Sequence, residues 1–278
     1  MNHVMLNNGV SMPQLGLGVW KVVDEKKIED VIVCAADCGY RLIDTATIYG
    51  NEDGVGRGIK ASGIPREELF ITTKVWNIDQ GYEETLAAFE RSLAALDLDY
   101  IDLYLVHWPV PRFDKYVETY KALEVLYKEK KVRAIGVCNF EIHHLERLMK
   151  ECQVVPAVNQ VECHPYLNQK ELKAFCLAHN IQFQAWSPIM QGGAAMEREE
   201  ILGLAQKHGK TPAQIILRWH LQNDSVVIPK SATPSRIKEN ISVFDFELSP
   251  EDMAIIDGID CGVRVGPHPN EMYRVTPR

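Results

Sequence analysis

The sequence lacks what would tie it to a membrane or to nucleic acid. No apolar run approaches the roughly 20 residues of a helical membrane span. The opening Met1-Asn2-His3-Val4 carries no secretory signal pattern. Its basic residues form no run longer than Lys-Glu-Lys-Lys at 128–131, and the net charge is −8. Nucleic-acid and anionic-membrane partners are therefore disfavoured, and any anion must be held by a local cluster. Cysteine is present but unpaired: the seven residues are odd in number and include no CxxC, although Cys34 and Cys38 could share a helix face. Buried free thiols in a reducing compartment are expected, with no metal site. Low-complexity tracts, a dividing linker and any shift in composition are also missing. Residues 1–278 are expected to form one cytoplasmic domain, large enough to fold without a staple.

What is present is a rhythm. Residues 4–12 read as a small hairpin with Asn8-Gly9 as its turn. Eight β-type runs follow, at 14–19, 41–45, 69–74, 101–107, 133–138, 156–160, 181–186 and 226–230. Most are too apolar to alternate cleanly, which suits parallel strands buried on both faces. Helical patterns lie between them. Ile28, Val31, Ile32 and Ala35 share one face, as do Leu86, Phe89, Leu93 and Leu96, and Val117, Tyr120, Leu123 and Leu126. Thr211-Pro212-Ala213-Gln214 and Ser249-Pro250-Glu251-Asp252 have the form of capped helix starts, and Asn168 with Glu171 marks another. His143-His144 reads as a solvated helix surface. The pattern predicts an α/β fold, a (β/α)8 TIM barrel with an N-terminal β-hairpin and an extra helix and loop at 191–204 on its C-terminal side. An open doubly wound sheet is the alternative, disfavoured by the even strand spacing.

Three familiar motifs are incomplete. Gly16-Leu17-Gly18 follows a strand, but Lys21 stands where a dinucleotide fingerprint needs its third glycine. Gly54-Val55-Gly56-Arg57-Gly58 lacks the Gly-Lys-Ser/Thr of a phosphate loop and reads as close helix packing. Ser187, in Trp-Ser-Pro, is not in a nucleophile elbow.

In such a barrel the chemistry sits at the C-terminal ends of the strands. Asp44 and Tyr49 follow the second strand, Lys74 ends the third and His107 ends the fourth. Tyrosine, with an ordinary pKa near 10, is a weak acid at neutrality. A lysine cation beside it favours the phenolate and lowers that pKa. A carboxylate keeps the lysine charged, and a histidine orients a carbonyl oxygen. These groups suit protonation of a carbonyl, and the accompanying hydride requires a cofactor.

Several segments resemble the aldo-keto reductase family. They are Gly39-Tyr40-Arg41-Leu42-Ile43-Asp44-Thr45-Ala46 followed by Tyr49-Gly50-Asn51-Glu52, Thr72-Thr73-Lys74-Val75-Trp76, and Leu103-Tyr104-Leu105-Val106-His107-Trp108-Pro109. Ile135-Gly136-Val137-Cys138-Asn139-Phe140, Asn159-Gln160-Val161-Glu162, Ile228-Pro229-Lys230-Ser231 and Arg236-Ile237-Lys238-Glu239-Asn240 continue the likeness across essentially the whole chain. The short loop at 76–81 and compact C-terminus look most like the microbial branch, which includes 2,5-diketo-gluconate reductases, glyoxal reductases and prostaglandin F synthase-like enzymes.

The resemblance implies an NADP-dependent oxidoreductase that reduces small aldehydes and ketones, with NADPH preferred over NADH. Tyr49 is then the general acid, Lys74 lowers its pKa, Asp44 pairs with Lys74 and His107 orients the carbonyl. Asn139 and Gln160 match positions that hold the nicotinamide carboxamide, and Trp186 stands where the family usually stacks a tyrosine. Cys138 replaces the usual serine. Val19, Trp20 and Asp44 border the cofactor, and Ser187, Pro188, Ile189 and Gln191 run along its pyrophosphate. Lys230, Ser231, Ala232, Thr233 and Arg236 surround the 2′-phosphate, where arginine grips bidentately, while Glu239 and Asn240 meet the adenine. Trp20, Tyr49, Trp76, His107 and Trp108 form the substrate pocket, and the tail at 261–278 covers the mouth and sets substrate choice. A monomer is expected. The competing reading is an NADPH-binding structural or regulatory barrel with little turnover.

Overall fold

The computed structural model describes residues 2–274. Strands β1 (His3–Met5) and β2 (Ser11–Pro13) pair antiparallel, with His3 opposite Pro13. Gly9 takes a left-handed φ of 82° in the connecting turn, where a side chain would be strained. Eight parallel strands follow: β3 (Leu17–Gly18), β4 (Leu42–Asp44), β5 (Phe70–Val75), β6 (Ile101–Val106), β7 (Val132–Cys138), β8 (Val158–Glu162), β9 (Gln182–Trp186) and β10 (Val226–Val227). They neighbour one another in chain order. Parallel bridges from Leu15 to Val227 and from Gly18 to Lys230 join the first strand to the last, so the sheet closes into a barrel. The regular parts of β3 and β10 are shorter than the runs predicted at 14–19 and 226–230, because pairing at the seam is through isolated bridges.

Around the strands run α1 (Glu25–Asp37), α2 (Glu52–Ala61), α3 (Tyr82–Leu96), α4 (Tyr116–Lys128), α5 (Ile142–Glu151) and α6 (Lys170–Ala178). They continue as α7 (Glu199–His208), α8 (Pro212–Gln222), α9 (Pro234–Ile241) and α10 (Pro250–Asp257). The predicted caps of α8 and α10 form as reciprocal boxes, Thr211 with Gln214 and Ser249 with Asp252. The start at Asn168 is displaced: α6 begins at Lys170, and Asn168 Oδ1 accepts the Lys170 N–H from outside the helix. His144, expected on a solvated surface, is buried, because its Nδ1 accepts the Glu141 N–H in the box that opens α5; His143 beside it is exposed. The glycines of α2 do pack closely: a Cβ at Gly56 would lie 2.3 Å from the Leu96 carbonyl oxygen. Cys138, Cys163 and Cys176 are buried thiols, whereas Cys261 is exposed, contrary to the expectation of burial.

The two-residue period of the strands divides the core. Ile43, Ile71, Tyr104, Val106, Ile135 and Val137 point outward and pack with the helices. Leu42, Phe70, Leu103, Leu105, Ala134 and Val158 point inward, together with Leu6 and Met12 of the hairpin. Continuing the inward parity to the C-terminal ends of β4, β5, β6, β7 and β8 gives Asp44, Lys74, His107, Cys138 and Gln160. A polar layer thus crowns an apolar plug. No helix among the described residues is long and apolar enough to cross a membrane.

Candidate active site

The polar layer floors a cleft of about 1460 Å³ that runs from the barrel mouth to the start of α9. Every site residue predicted from the sequence lines it except Lys74, which lies fully buried beneath its floor. The Lys74 ammonium donates to Asp44 Oδ1 at 2.5 Å and to the Thr45 carbonyl at 2.8 Å, and sits 5.2 Å from the Tyr49 ring centre. The other Asp44 oxygen accepts from Gln160 Nε2 at 2.7 Å, and Gln160 also donates to Gln184 Oε1 at 3.1 Å. Edge-on aromatic contacts set the next group. His107 meets Tyr49 at 5.9 Å and Trp76 at 5.2 Å between ring centres, with Trp108 stacked at 6.4 Å.

Burial governs the protonation states. It pulls the Lys74 ammonium down, but the adjoining Asp44 carboxylate and Tyr49 more than offset this, and the lysine stays cationic. Burial pushes the Asp44 carboxyl up against the opposing pull of Lys74 and Gln160. It also raises Tyr49, to about 12, with Lys74 pulling the other way. Lys74 thus pulls the Tyr49 pKa down, the direction expected from the sequence, but burial outweighs that pull. Burial and then Lys74 hold His107 well below its usual value, so the ring is neutral, and among the described residues its buried Nδ1 has no hydrogen-bond partner.

Beside this group the ends of β7 and β9 are locked together. Asn139 and Ser187, which follow these strands, adopt left-handed φ values of 64° and 49°. Asn139 Nδ2 donates to the His107 carbonyl at 2.9 Å, and its Oδ1 accepts the Trp186 indole N–H at 2.8 Å. The tryptophan that departs from the family pattern is therefore held by a polar bond at its edge. Cys138 contributes a thiol 3.1 Å from Asn139 Nδ2 and 3.7 Å from Gln160 Oε1.

At the far end of the cleft, Lys21, Lys27, Lys230 and Arg236 face the same space, and among the described residues none of the four forms an ion pair. Burial lowers Lys230, and the nearby Lys27 and Lys21 cations lower it further. Unpaired cations gathered in an acidic protein are suited to a multiply charged anion. Ser231 Oγ accepts the Thr233 N–H at 3.2 Å, which folds the turn leading into α9 around that end. The cleft exceeds the roughly 300–1,000 Å³ of an ordinary ligand pocket, as a dinucleotide beside a small substrate requires.

Sequence reasoning missed Lys21, Lys27, Ile48 and Met196 on the walls. Lys21 had a signal, since it follows Trp20 just beyond the first strand. Lys27 had none, because a lysine in the first turn of an amphipathic helix reads as surface. The tail does cross the mouth, with Val265, Gly266, Pro267, Met272 and Arg274 lining the cleft. Its predicted stretch at 275–278 lies outside the described residues.

Known proteins resemble this chain along most of its length. The family model described as "Aldo/keto reductase family" matches residues 14–260. The chain is 57% identical to glyoxal reductase of Bacillus subtilis (strain 168), covering 97% of this chain and 96% of that protein. It is 54% identical to 9,11-endoperoxide prostaglandin H2 reductase of Trypanosoma cruzi (strain CL Brener), covering 98% and 96%. The crystal structure of a Gox0644 mutant in complex with NADPH superposes with a TM-score of 0.93 at 45% identity, covering 98% of each chain.

Proposed function

The chain belongs to the aldo/keto reductase family, and from that membership we propose that it reduces aldehydes and ketones to alcohols with NADPH, using Tyr49 as the proton donor. The observation that carries the proposal is the buried Lys74–Asp44 pair beneath Tyr49, with a neutral His107 on the same side of the cleft. When bound, NADPH supplies the hydride that side chains do not. Tyr49, protonated throughout the neutral range, releases its proton to the carbonyl oxygen as negative charge gathers there. The fixed Lys74 cation favours the phenolate left behind, and Asp44 keeps that cation in place. His107 carries a single N–H as a neutral ring, which suits it to orient the carbonyl oxygen without adding a charge. Trp76 and Trp108, both buried, offer apolar walls that exclude water around the reacting group.

NADPH is preferred over NADH because Lys230 and Arg236, with Ser231 and Thr233, give a 2′-phosphate cations and donors. Asn139, Gln160 and Trp186 would hold the nicotinamide, Val19, Trp20, Ser187, Pro188, Ile189 and Gln191 would border the middle of the cofactor, and Ala232, Glu239 and Asn240 would meet its adenosine end. Substrates are small carbonyl compounds, as the name of the glyoxal reductase relative suggests for that protein. The protein acts as a cytoplasmic monomer of one catalytic domain, and its seven free thiols suit a reducing compartment. Loss of NADPH absorbance with a panel of aldehydes and ketones tests the activity. Tyr49→Phe is expected to abolish turnover while NADPH binding persists. Undiminished turnover in that variant removes Tyr49 from its role, and an inert wild type points instead to a cofactor-binding barrel.

A further inference from the structure

Glu162 ends β8 with a fully buried side chain that the reduction does not use. Its Oε1 accepts the Val265 N–H at 2.5 Å and lies 3.0 Å from His164 Nε2, and its Oε2 accepts the Gly266 N–H at 3.1 Å. A carboxylate offers about four acceptor sites, and three of them are taken here. Two consecutive backbone amides, from a segment about a hundred residues downstream, converge on one acid. Bonds of this charge-assisted kind are stronger than neutral ones.

What they hold is pressed against Trp186. A Cβ at Gly266 would stand 2.5 Å from Trp186 Cη2 and 3.1 Å from Glu162 Oε2, so the strap meets the indole with backbone alone. Across the ring, the indole N–H is tied to Asn139, and Asn139 is tied to the His107 carbonyl. An unbroken series of contacts thus runs from the acid to the reacting end of the cleft. The strap is held at neighbouring points too, by an Arg264–Glu141 ion pair at 3.1 Å and by Cys261 and Val263 N–H donors to the Tyr166 carbonyl.

We propose that Glu162 is a positioning residue that anchors the C-terminal strap at Val265 and Gly266, fixing the Trp186 ring and closing the substrate side of the cleft. The proposal rests on the reductase reading and names what sets its pocket. Substrate affinity is the property read for it: the acid touches neither the proton donor nor its cation, and saturating NADPH removes any change in cofactor affinity through Trp186 from the measurement.

Two variants test it. Glu162→Gln keeps the volume but turns one acceptor into a donor facing donors. Gly266→Ala keeps the carboxylate and pushes the strap off the indole. With NADPH saturating and 4-nitrobenzaldehyde as substrate, each variant is expected to raise KM by about tenfold or more with kcat within about threefold. Trp186 emission, read as the difference from a Trp186→Phe background, should shift in both. An unchanged KM in folded Glu162→Gln overturns the proposal, because a purely structural acid would lower thermal stability without moving KM. Should that variant not fold, an unchanged KM in Gly266→Ala overturns it. If the wild type turns over no carbonyl compound, the reductase reading fails by itself, and the anchor is then judged by the emission shift, whose absence refutes it.

Discussion

Replacing Lys74 with methionine removes a buried cation while keeping a side chain of similar length, and the structure predicts two separable effects. The first is on stability. Asp44 would keep its hydrogen bond from Gln160 at 2.7 Å but lose the Lys74 cation, which now lies 2.5 Å away. Removing one member of a buried pair costs about 3–5 kcal/mol. At roughly 2–4 °C per kcal/mol, the thermal midpoint should fall by about 6–20 °C. Changing Asp44→Asn in the same molecule takes away the stranded charge and should restore most of the loss. The second effect is on rate. At 5.2 Å from the Tyr49 ring centre and an effective dielectric constant of about 20, the cation favours a full phenolate charge by about 3 kcal/mol. Its loss should lower kcat about two hundredfold if that charge is fully developed in the transition state, and about fifteenfold if it is half developed. NADPH oxidation and thermal melts on the single and double variants measure both. The double variant should regain stability and stay slow. A single variant that keeps its rate within about threefold, or a double variant that recovers rate along with stability, would refute the electrostatic role assigned to Lys74.

Titration offers a second check. Because burial raises Tyr49 to about 12, its phenolate form is lost as pH falls below that value, and the acid form is complete through neutrality. The ultraviolet difference between wild type and Tyr49→Phe, without cofactor, should show no tyrosinate from this residue at pH 9; a half-developed signal there means that Lys74 outweighs burial. His107, held well below its ordinary value, should add no inflection near pH 6.5 to the reduction rate. Arg236→Ala should weaken NADPH by about tenfold or more and leave NADH within about twofold, given the strength of arginine–phosphate pairing. Equal losses for both nucleotides remove Arg236 from 2′-phosphate recognition.

The barrel and its polar crown were legible because both follow from short-range pattern. Strand parity alone carries Asp44, Lys74 and Gln160 to one inward-facing layer, and buried parallel strands announce themselves as apolar runs. The caps at Thr211 and Ser249 were equally local. What the chain did not disclose depends on distant partners or on the sum of opposing terms. The Tyr49 pKa is a contest between burial and Lys74, and only the depth of the site decides it. His144 carries no mark of burial until its bond to the Glu141 backbone is seen. Glu162 stands in a recognisable strand, but its partners at Val265 and Gly266 are invisible before the tail folds back. Lys27 looks like any surface lysine until the turn at Lys230 faces it.

The hairpin at the start of the chain has a practical consequence. Leu6 and Met12 sit with the inward apolar residues, and Asn7 and Asn8 donate to the carbonyls of Pro156, just before β8, and of Arg133, near the start of β7. The strap that reaches Arg274 crosses the opposite rim, where the Arg274 carbonyl accepts from Asn77. A fusion partner or surface tether attached ahead of the hairpin would leave the mouth facing solution. The same attachment after the strap would hang beside the entrance and compete with anything trying to enter.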